Sequence, residues 1–365
     1  MATVLVSTRK GLFVVEGSGK EARVTRGAFL GDNVALSLVD PRDGAWYAVL
    51  DHGHFGVKLH RSEDRGATWT EIAAPAYPPK PEGLVEKDMW GGERVWALKN
   101  IWALEIAPDA PGALWCGTIP GGLFRSNDRG ASWTLVESLW NNPSRPKWNG
   151  AGDANPALHS ILVDPRDPKT VVIAVSTGGV WRTRDGGATW TAHTRGMVAG
   201  YVPPEQAEWP ENQDCHRVVQ CAADPKVFWC QHHMGIWRST SDLEVWERIE
   251  AKPSSFGFGV AVHPRDPNTA WFVPADSDQK RAPIWGDVVV TRTRDGGKSF
   301  DVLSDGLPKG FAYDLVLRHA LAIDASGNEL AFGSTTGNLW VTADQGDHWH
   351  EVTHTLPPIY AVRYA

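Results

Sequence analysis

Histidine is the residue type in this 365-residue sequence with the clearest capacity for chemistry. Of the 13 histidines, seven lie near the ends of predicted β-strands: His52, His54, His159, His216, His232, His233 and His319. Neutral imidazoles bind divalent transition metals at about 2.0–2.2 Å, and they also act as general acids and bases near neutral pH. Carboxylates and guanidinium groups accompany several of them, so the sequence offers either a metal centre or a hydrolytic site.

Three hypotheses about these histidines are open. In the first, a divalent transition metal is the cofactor, and its candidate ligands are His52, His54, His159, His232, His233 and His319. In the second, a metal-free hydrolytic site acts by acid–base catalysis, with the candidate catalytic residues His159, His216, His319, Asp214, Asp314, Arg217 and Arg318. In the third, the histidines are hydrogen-bonded strand-end residues of a binding protein. No two of these seven histidines have H-x-x-x-H spacing. The first two hypotheses therefore require residues from distant segments to converge.

The elements that would position these residues follow from an internal repeat. Five nine-residue segments, here called the box segments, align without gaps: RSEDRGATW ending at Trp69, RSNDRGASW at Trp133, RTRDGGATW at Trp190, RTRDGGKSF at Phe300 and VTADQGDHW at Trp349. A sixth, RSTSDLEVW ending at Trp246, keeps both ends but lacks the central Asp and Gly. An apolar run and a turn such as VDPRDP precede most copies, so each copy predicts a unit of four short strands.

Four antiparallel strands that repeat every 40–60 residues are typical of β-propeller blades. Six such units are predicted, over residues 34–74, 93–140, 156–197, 215–250, 256–305 and 313–353. The N-terminal segments VLVST and KGLFV and the C-terminal segment IYAVRYA predict a seventh blade that both chain ends share. The sequence therefore predicts an all-β, seven-bladed β-propeller of four-stranded antiparallel blades, as a single domain over residues 1–365.

The residue spacing that the box segments share has a structural explanation. The central Asp can accept backbone N–H groups across its own turn, and the Gly can adopt a positive φ that other residues resist. The closing Trp is expected to pack between blades. These aspartates and tryptophans are therefore assigned to the scaffold and not to catalysis.

The S/T-x-D-x-G-x-S/T-W pattern of the box segments resembles the Asp-box, or BNR, repeat. That repeat occurs in sialidases, in some xyloglucan-degrading enzymes, in sortilin-type receptors and in a photosystem II assembly factor. The chain also resembles small intracellular bacterial BNR-repeat proteins described as glycosyl hydrolases. The resemblance implies the propeller fold over essentially the whole chain, but it does not imply one function. No FRIP-like segment is present, so the catalytic roles of sialidases are not transferred to this chain.

Composition excludes several functional classes. The net charge is −7, which argues against a nucleic acid partner, and no long apolar stretch predicts a membrane span. The N-terminal segment alternates like a strand and lacks the features of a signal peptide, so a cytoplasmic location is expected. The four cysteines show neither zinc-site spacing nor a disulfide framework.

Long loops are predicted on the propeller face opposite the box segments, where function usually concentrates. Four tryptophans lie in these loops, outside the blade pattern: Trp90, Trp148, Trp209 and Trp285. They either stack on sugar rings or fasten the loops to the propeller. The insertion over residues 276–287 is either a lid or a solvated excursion.

The sequence thus predicts a hydrolase-type enzyme that binds a small polar ligand, carbohydrate-like or anionic, in an axial pocket opposite the box segments. The histidine and carboxylate cluster would carry out its catalysis, with or without a divalent transition metal. The alternative is a non-catalytic propeller that binds a protein or peptide partner.

Overall fold

The computed structural model describes residues 2–88, 90–150 and 154–365, and this part of the chain forms seven four-stranded antiparallel sheets. Both chain ends contribute to one sheet, whose strand order is β28–β1–β2–β3. Its strands are β1 (Thr3–Thr8), β2 (Gly11–Glu16), β3 (Arg23–Ala28) and β28 (Ile359–Tyr364). The predicted all-β, seven-bladed propeller is confirmed, and so is the blade that the two termini share.

The other six sheets each use four strands that follow one another in the chain. The first sheet consists of β4 (Val34–Val39), β5 (Trp46–Asp51), β6 (Val57–Ser62) and β7 (Thr70–Ile72). The second consists of β8 (Asn100–Ile106), β9 (Leu114–Ile119), β10 (Leu123–Ser126) and β11 (Thr134–Leu135). The third consists of β12 (Ala157–Val163), β13 (Val171–Ser176), β14 (Gly179–Thr183) and β15 (Thr191–Ala192). The fourth sheet consists of β16 (Cys215–Gln220), β17 (Phe228–His232), β18 (Gly235–Ser239) and β19 (Glu247–Ile249). The fifth consists of β20 (Gly257–Val262), β21 (Ala270–Pro274), β22 (Val290–Thr293) and β23 (Asp301–Leu303). The sixth consists of β24 (Leu321–Ile323), β25 (Leu330–Gly333), β26 (Leu339–Thr342) and β27 (His350–Thr353).

Helical structure is confined to single turns in the described part of the chain. The α-helix α1 spans Glu137–Trp140, and the 3-10 turns span Gly19–Glu21, Gly53–Phe55, Arg145–Lys147, Pro204–Gln206, Pro210–Asn212 and Ile284–Gly286. Among the described residues, no helix has the length and apolar character needed to cross a bilayer.

The chain divides into two compact units. The first comprises residues 1–41 and 216–365, and Trp271, Phe332 and Trp340 are buried together in one of its core clusters. The second comprises residues 42–215, and its core contains Trp115 and Trp148. The division falls inside β16, between Cys215 and His216. In each unit the second strands of the sheets are nearly continuous apolar runs, because both of their faces are buried.

The blade that contains both termini differs from its prediction in one strand. β28 pairs antiparallel with β1, with Val4 opposite Tyr364 and Ser7 opposite Ala361. The sequence predicted β1, β2 and β28 but not β3, which pairs with β2 as the outer strand. β3 was missed because it is largely exposed and carries no apolar alternation, so the periodicity that marks the inner strands is absent.

The box segments form the turns between the third and fourth strands, and their aspartates bind the backbone as predicted. Asp64 accepts a hydrogen bond from the Thr68 amide at 2.8 Å and another from the Thr68 hydroxyl at 2.6 Å. The Ser62 hydroxyl accepts the Gly66 amide at 2.7 Å, and Gly66 has φ +80°. The aspartates that form the same turn in the other copies are Asp128, Asp185, Asp295 and Asp344.

The sixth, degenerate copy keeps this turn with different residues. The Ser239 hydroxyl accepts the Leu243 amide at 3.2 Å, which is the bond that Gly66 makes in the first copy. Ser241 replaces the central Asp and accepts the Val245 amide at 3.1 Å. Leu243 stands at the glycine position with φ +68°, and its side chain is buried. Burial of the leucine therefore holds a conformation that glycine adopts without strain in the other copies.

The box aspartates predict an acid-sensitive component of stability. Hydrogen bonds from Thr183 and Thr189 lower the pKa of Asp185 to about 2. Because the carboxylate pKa is near 4 in an unfolded chain, this stabilisation is present above about pH 4 and is lost as the pH falls through the folded-state value. We expect Asp185→Asn to lower the melting temperature at pH 7 by a few degrees and to reduce the further loss between pH 4 and pH 2.

Thermal denaturation followed by circular dichroism from pH 2 to pH 7 measures both effects. Glu250→Gln is the control, because Glu250 is an exposed carboxylate outside these turns. Melting curves of Asp185→Asn that parallel the parent protein at every pH would contradict the assignment.

Candidate functional site

Three predicted metal ligands lie in the unit of residues 42–215. His159 is fully buried in β12, with Nδ1 2.9 Å from the Ser160 hydroxyl and its ring 6.3 Å from that of Trp102. His52 and His54 lie at the 3-10 turn after β5, where the chain is partly exposed. Their metal-binding role stays a prediction.

Two predicted residues of the other unit take part in backbone and turn hydrogen bonds. His319 forms an isolated bridge with Ala361, and its carbonyl accepts the Val362 amide at 2.9 Å. Asp314 is buried and accepts hydrogen bonds from the Ser334 hydroxyl at 2.6 Å and from the side-chain amide of Asn338 at 2.8 Å. These contacts hold the turn between β25 and β26, so Asp314 has a structural task whatever else it does.

His232 and His233 point to different surroundings although they are adjacent. Successive residues of a strand project to opposite faces, and β17 ends at His232. The His232 ring is buried 4.8 Å from the Trp237 ring, and its Nδ1 accepts the Met234 amide at 3.0 Å. His233 begins the turn to β18, and its ring lies 5.6 Å from that of His216. The second of the two therefore approaches another candidate residue, His216.

The structure does bring together His216 and His233, whose ring centres lie 5.6 Å apart. His216 is the second residue of β16, and the β17–β18 turn supplies His233. An oxygen of Asp278, in the insertion over residues 276–287, lies 3.5 Å from His233 Nε2. His216, His233 and Asp278, called the His–Asp cluster below, are the strongest candidate site among the described residues. Asp214 belongs to the unit of residues 42–215, where burial and its carboxylate raise the pKa of Tyr201 above its ordinary value.

Aromatic side chains surround the imidazoles of the His–Asp cluster. The Phe258 ring stacks on the His216 ring at 4.6 Å and 15°. Phe256 meets both imidazoles edge-on, at 5.9 Å from His216 and 6.0 Å from His233. Between the two phenylalanines, the Gly257 carbonyl lies 2.7 Å from His216 Nδ1. The sequence SSFGFGV at the start of β20 thus supplies both an apolar wall and a hydrogen-bond acceptor.

The insertion over residues 276–287 reaches the same cluster. An Asp278 oxygen lies 3.5 Å from His233 Nε2, and the Arg281 guanidinium lies 5.4 Å from the centre of the Phe258 ring. Arg281 also binds Asp278 at 2.9 Å. The insertion therefore contacts the cluster, while residues 278–281 are exposed, so its role as a lid or as a solvated excursion stays a prediction.

Of the two predicted arginines, Arg318 contacts the cluster through the backbone. Its Nε donates to the His216 carbonyl at 2.9 Å, so the guanidinium supports the strand that carries the imidazole. Arg217, in β16, is partly buried. Phe256, Phe258 and Asp278 are the neighbours that sequence reasoning missed; the F-G-F-G alternation and the acidic insertion were the only signals.

The four loop tryptophans divide between the two predicted roles. Trp148 is fully buried and packs 5.5 Å from Trp181, so it fastens its loop. Trp90, Trp209 and Trp285 are exposed, and the exposed fraction is largest for Trp285, at 79%.

Trp285, Phe311 and Tyr313 are exposed aromatic residues on two adjoining loops, and they are called the aromatic cluster below. Phe311 is 91% exposed and Tyr313 is 68% exposed. The two loops adjoin, because the Ala312 amide donates to the Gly286 carbonyl at 2.9 Å. Trp285 and Phe311 both have φ +59°, a conformation that bulky residues rarely adopt. A strained backbone that presents two large aromatic rings to solvent points to a binding function.

A separate polar network fastens two long loops of the unit of residues 42–215. Glu86 and Arg145 form an ion pair, and both side chains are 7% exposed. Trp96 Nε1 donates to the Glu86 carboxylate at 2.8 Å, and the Arg145 guanidinium lies 4.0 Å above the Trp140 ring. Every charge in the network has a partner, which is typical of a structural and not a catalytic group.

The four cysteines are buried free thiols. Burial raises the pKa of Cys116 well above its ordinary value, which keeps this thiol protonated. The His–Asp cluster and the aromatic cluster are therefore the candidate sites among the described residues.

Known proteins resemble this chain in sequence and in fold. No protein-family model matches the chain. A xyloglucanase from Paenibacillus sp is 28% identical over 311 residues, which covers 76% of this chain and 27% of the relative. The chain spans about a quarter to a third of the length of the curated relatives that it matches.

Solved structures share the fold. An ancestral GH74 enzyme superposes with a TM-score of 0.59 and 15% identity, over 100% of this chain and 40% of the other. YCF48 from Cyanidioschyzon merolae superposes with a TM-score of 0.55 and 13% identity, over 89% of this chain and 87% of the other. These similarities agree with the seven-bladed propeller described above.

Proposed function

We propose that this protein is a hydrolase-type enzyme that acts on a carbohydrate, which it binds on the exposed aromatic cluster of Trp285, Phe311 and Tyr313. The observation that carries the proposal is the exposure of Trp285 and Phe311 in a strained backbone conformation. Sugar rings present apolar C–H faces that stack on aromatic side chains, and their hydroxyls need nearby polar groups.

Acidic groups of the same loop supply the polar component. Glycoside hydrolysis generally requires carboxyl groups that donate a proton to the glycosidic oxygen and activate water. Asp278 shares its loop with Trp285, is held by Arg281 and His233, and retains a half-exposed carboxylate. We assign Asp278 as the group that exchanges a proton with the substrate.

The curated relatives add support for the substrate class. They are xyloglucanases, and their similarity extends over 76–79% of this chain. We therefore expect a glucan-type oligosaccharide to be the ligand.

Incubation of the full chain with xyloglucan oligosaccharides, followed by chromatography of the products, tests the proposal. Trp285→Ala and Phe311→Ala should each raise KM about tenfold or more, because a lost stacking contact of about 1.5 kcal/mol corresponds to one decade. Asp278→Asn should lower kcat and leave KM nearly unchanged. Phe55→Ala removes an aromatic side chain that is 77% exposed in the other unit, and it is the matched control.

The proposal fails if no product forms, or if the aromatic variants behave like Phe55→Ala. A second candidate function, a non-catalytic module that binds a protein or peptide, is favoured by the same exposed apolar surface. Turnover of an oligosaccharide would rule out this second candidate as the sole function.

A further inference from the structure

The two loops that carry the aromatic cluster are joined through their backbones. The Ala312 amide donates to the Gly286 carbonyl at 2.9 Å, and the Val288 amide donates to the Pro308 carbonyl at 3.1 Å. Val288 and Ala312 are also buried in one core cluster. These parts of the two loops are therefore held together by core packing as well as by hydrogen bonds.

One further bond between the loops depends on a side chain. The Gly310 amide donates to an oxygen of the Asp287 carboxylate at 2.7 Å. Gly310 directly precedes Phe311, and Asp287 follows Trp285 by two residues, so the bond is close in sequence to both aromatic positions. A hydrogen bond to a charged acceptor is stronger than one between neutral groups, so Asp287 can hold the two loops together firmly.

The backbone beside this bond is strained. Trp285 and Phe311 both have φ +59°, a conformation that bulky residues keep only when their surroundings hold them in it. The loops also approach closely, because a Cβ atom at Gly286 would lie 2.9 Å from the Phe311 nitrogen. Loss of the bond at Gly310 therefore releases a strained residue directly next to it.

We infer that Asp287 is a positioning residue for the proposed glycan site, because its carboxylate holds the Phe311 loop against the Trp285 loop and so presents both rings to one ligand. The inference rests on the proposed function, since the ligand is the glucan-type oligosaccharide of that proposal. Without the bond, the Phe311 loop adopts other conformations for part of the time. The apparent dissociation constant then rises in inverse proportion to the fraction of molecules whose loop is in the binding conformation.

The acceptor oxygen of Asp287 matters more here than its charge. An asparagine side chain keeps an oxygen that can accept the Gly310 amide, whereas an alanine side chain has none. We expect Asp287→Ala to raise KM for xyloglucan oligosaccharides about fivefold and to leave kcat nearly unchanged. Asp287→Asn should restore most of the lost affinity.

Hydrogen exchange of the substrate-free full chain, followed by mass spectrometry, gives a second readout that requires no activity. We expect the peptide that contains residues 308–313 to exchange several-fold faster in Asp287→Ala and at nearly the parent rate in Asp287→Asn. Asp266→Ala is the matched control, since Asp266 also accepts a backbone amide, that of Asn268 at 3.0 Å, in a turn of the same unit. The control should leave both KM and the exchange of residues 308–313 unchanged.

The two measurements distinguish failure of this inference from failure of the proposed function. Equal exchange of residues 308–313 in the parent and in Asp287→Ala overturns the inference, and so does an unchanged KM in that variant. An Asp287→Asn variant as impaired as Asp287→Ala overturns it as well, because the acceptor oxygen is then not the cause. A parent chain that forms no product contradicts the proposed function, and the role of Asp287 at a glycan site fails with it, even where exchange shows that Asp287 holds the loops together.

Discussion

Replacement of Arg145 by leucine is expected to lower the free energy of unfolding by about 3–5 kcal/mol at pH 7. The change leaves the Glu86 carboxylate buried without its cation, and both side chains of the pair are 7% exposed. It also removes the guanidinium from above the Trp140 ring. Removal of one partner from a buried pair is costly, because the remaining charge has lost both its hydration and its counter-charge.

The pH dependence gives this prediction a second, independent readout. Burial raises the pKa of Glu86, but the hydrogen bonds from Arg145 and Trp96 outweigh it, so the pKa lies below its ordinary value. In Arg145→Leu, burial is no longer opposed by the guanidinium, and we expect the pKa to rise above the unfolded value. The difference in stability between parent and variant should therefore be largest above about pH 5 and should shrink as the pH falls through 4.

Urea unfolding at pH 7 and at pH 4 measures both effects. The double variant with Glu86→Gln should recover part of the loss, because no buried charge is then left behind. A loss below about 1 kcal/mol at pH 7, or a single and a double variant of equal stability, would contradict the account.

Gly337→Ala is expected to prevent folding or to cost more than about 4 kcal/mol. Gly337 lies in the turn between β25 and β26 and has φ +89°. A Cβ atom there would clash with the Leu356 carbonyl oxygen, and a backbone atom cannot rotate away as a side chain can. The segment ahead of β28 would have to move.

Gly310→Ala separates the steric effect from the effect of φ. Gly310 has φ +68°, but a Cβ atom there would meet no other atom within 4 Å. This control should cost only about 1–2 kcal/mol, the price of a left-handed conformation for alanine. Soluble yield and chemical unfolding of both variants give the comparison, and equal losses would show that contact with Leu356 is not the cause.

The repeat made the fold predictable from sequence, because similar turns recur with similar apolar runs between them. Each box Asp binds its own turn, as in Asp64 with Thr68, so local sequence and local structure agree. The prediction failed for β3, whose exposed residues carry no period. The sequence also did not predict that the turn at Leu243 would form, because there a buried leucine side chain, and not a glycine, holds the positive φ.

The candidate site was predictable only in part. The sequence singled out His216 as a catalytic residue and His233 as a metal ligand, but it also grouped His232 with His233 as an equivalent ligand. Strand alternation separates the two adjacent histidines, and this rule was available from the sequence. The positions of Phe258 and Asp278 were not, because they depend on how a loop of one blade packs on the preceding blade. For His52, His54 and His159, a metal-binding role stays a prediction.

The pairing of β1 with β28 has a consequence for biosynthesis. Ile359 pairs with Thr8 and follows it by 351 residues (359 − 8). At a translation rate of about 5–20 residues per second, the first strand emerges roughly 20–70 s before its partner has been made. Throughout that interval the nascent chain exposes an unpaired edge of β1, with which strands of other polypeptides can pair. Efficient production of the protein should therefore depend on whatever covers this edge at the ribosome until β28 has been synthesised.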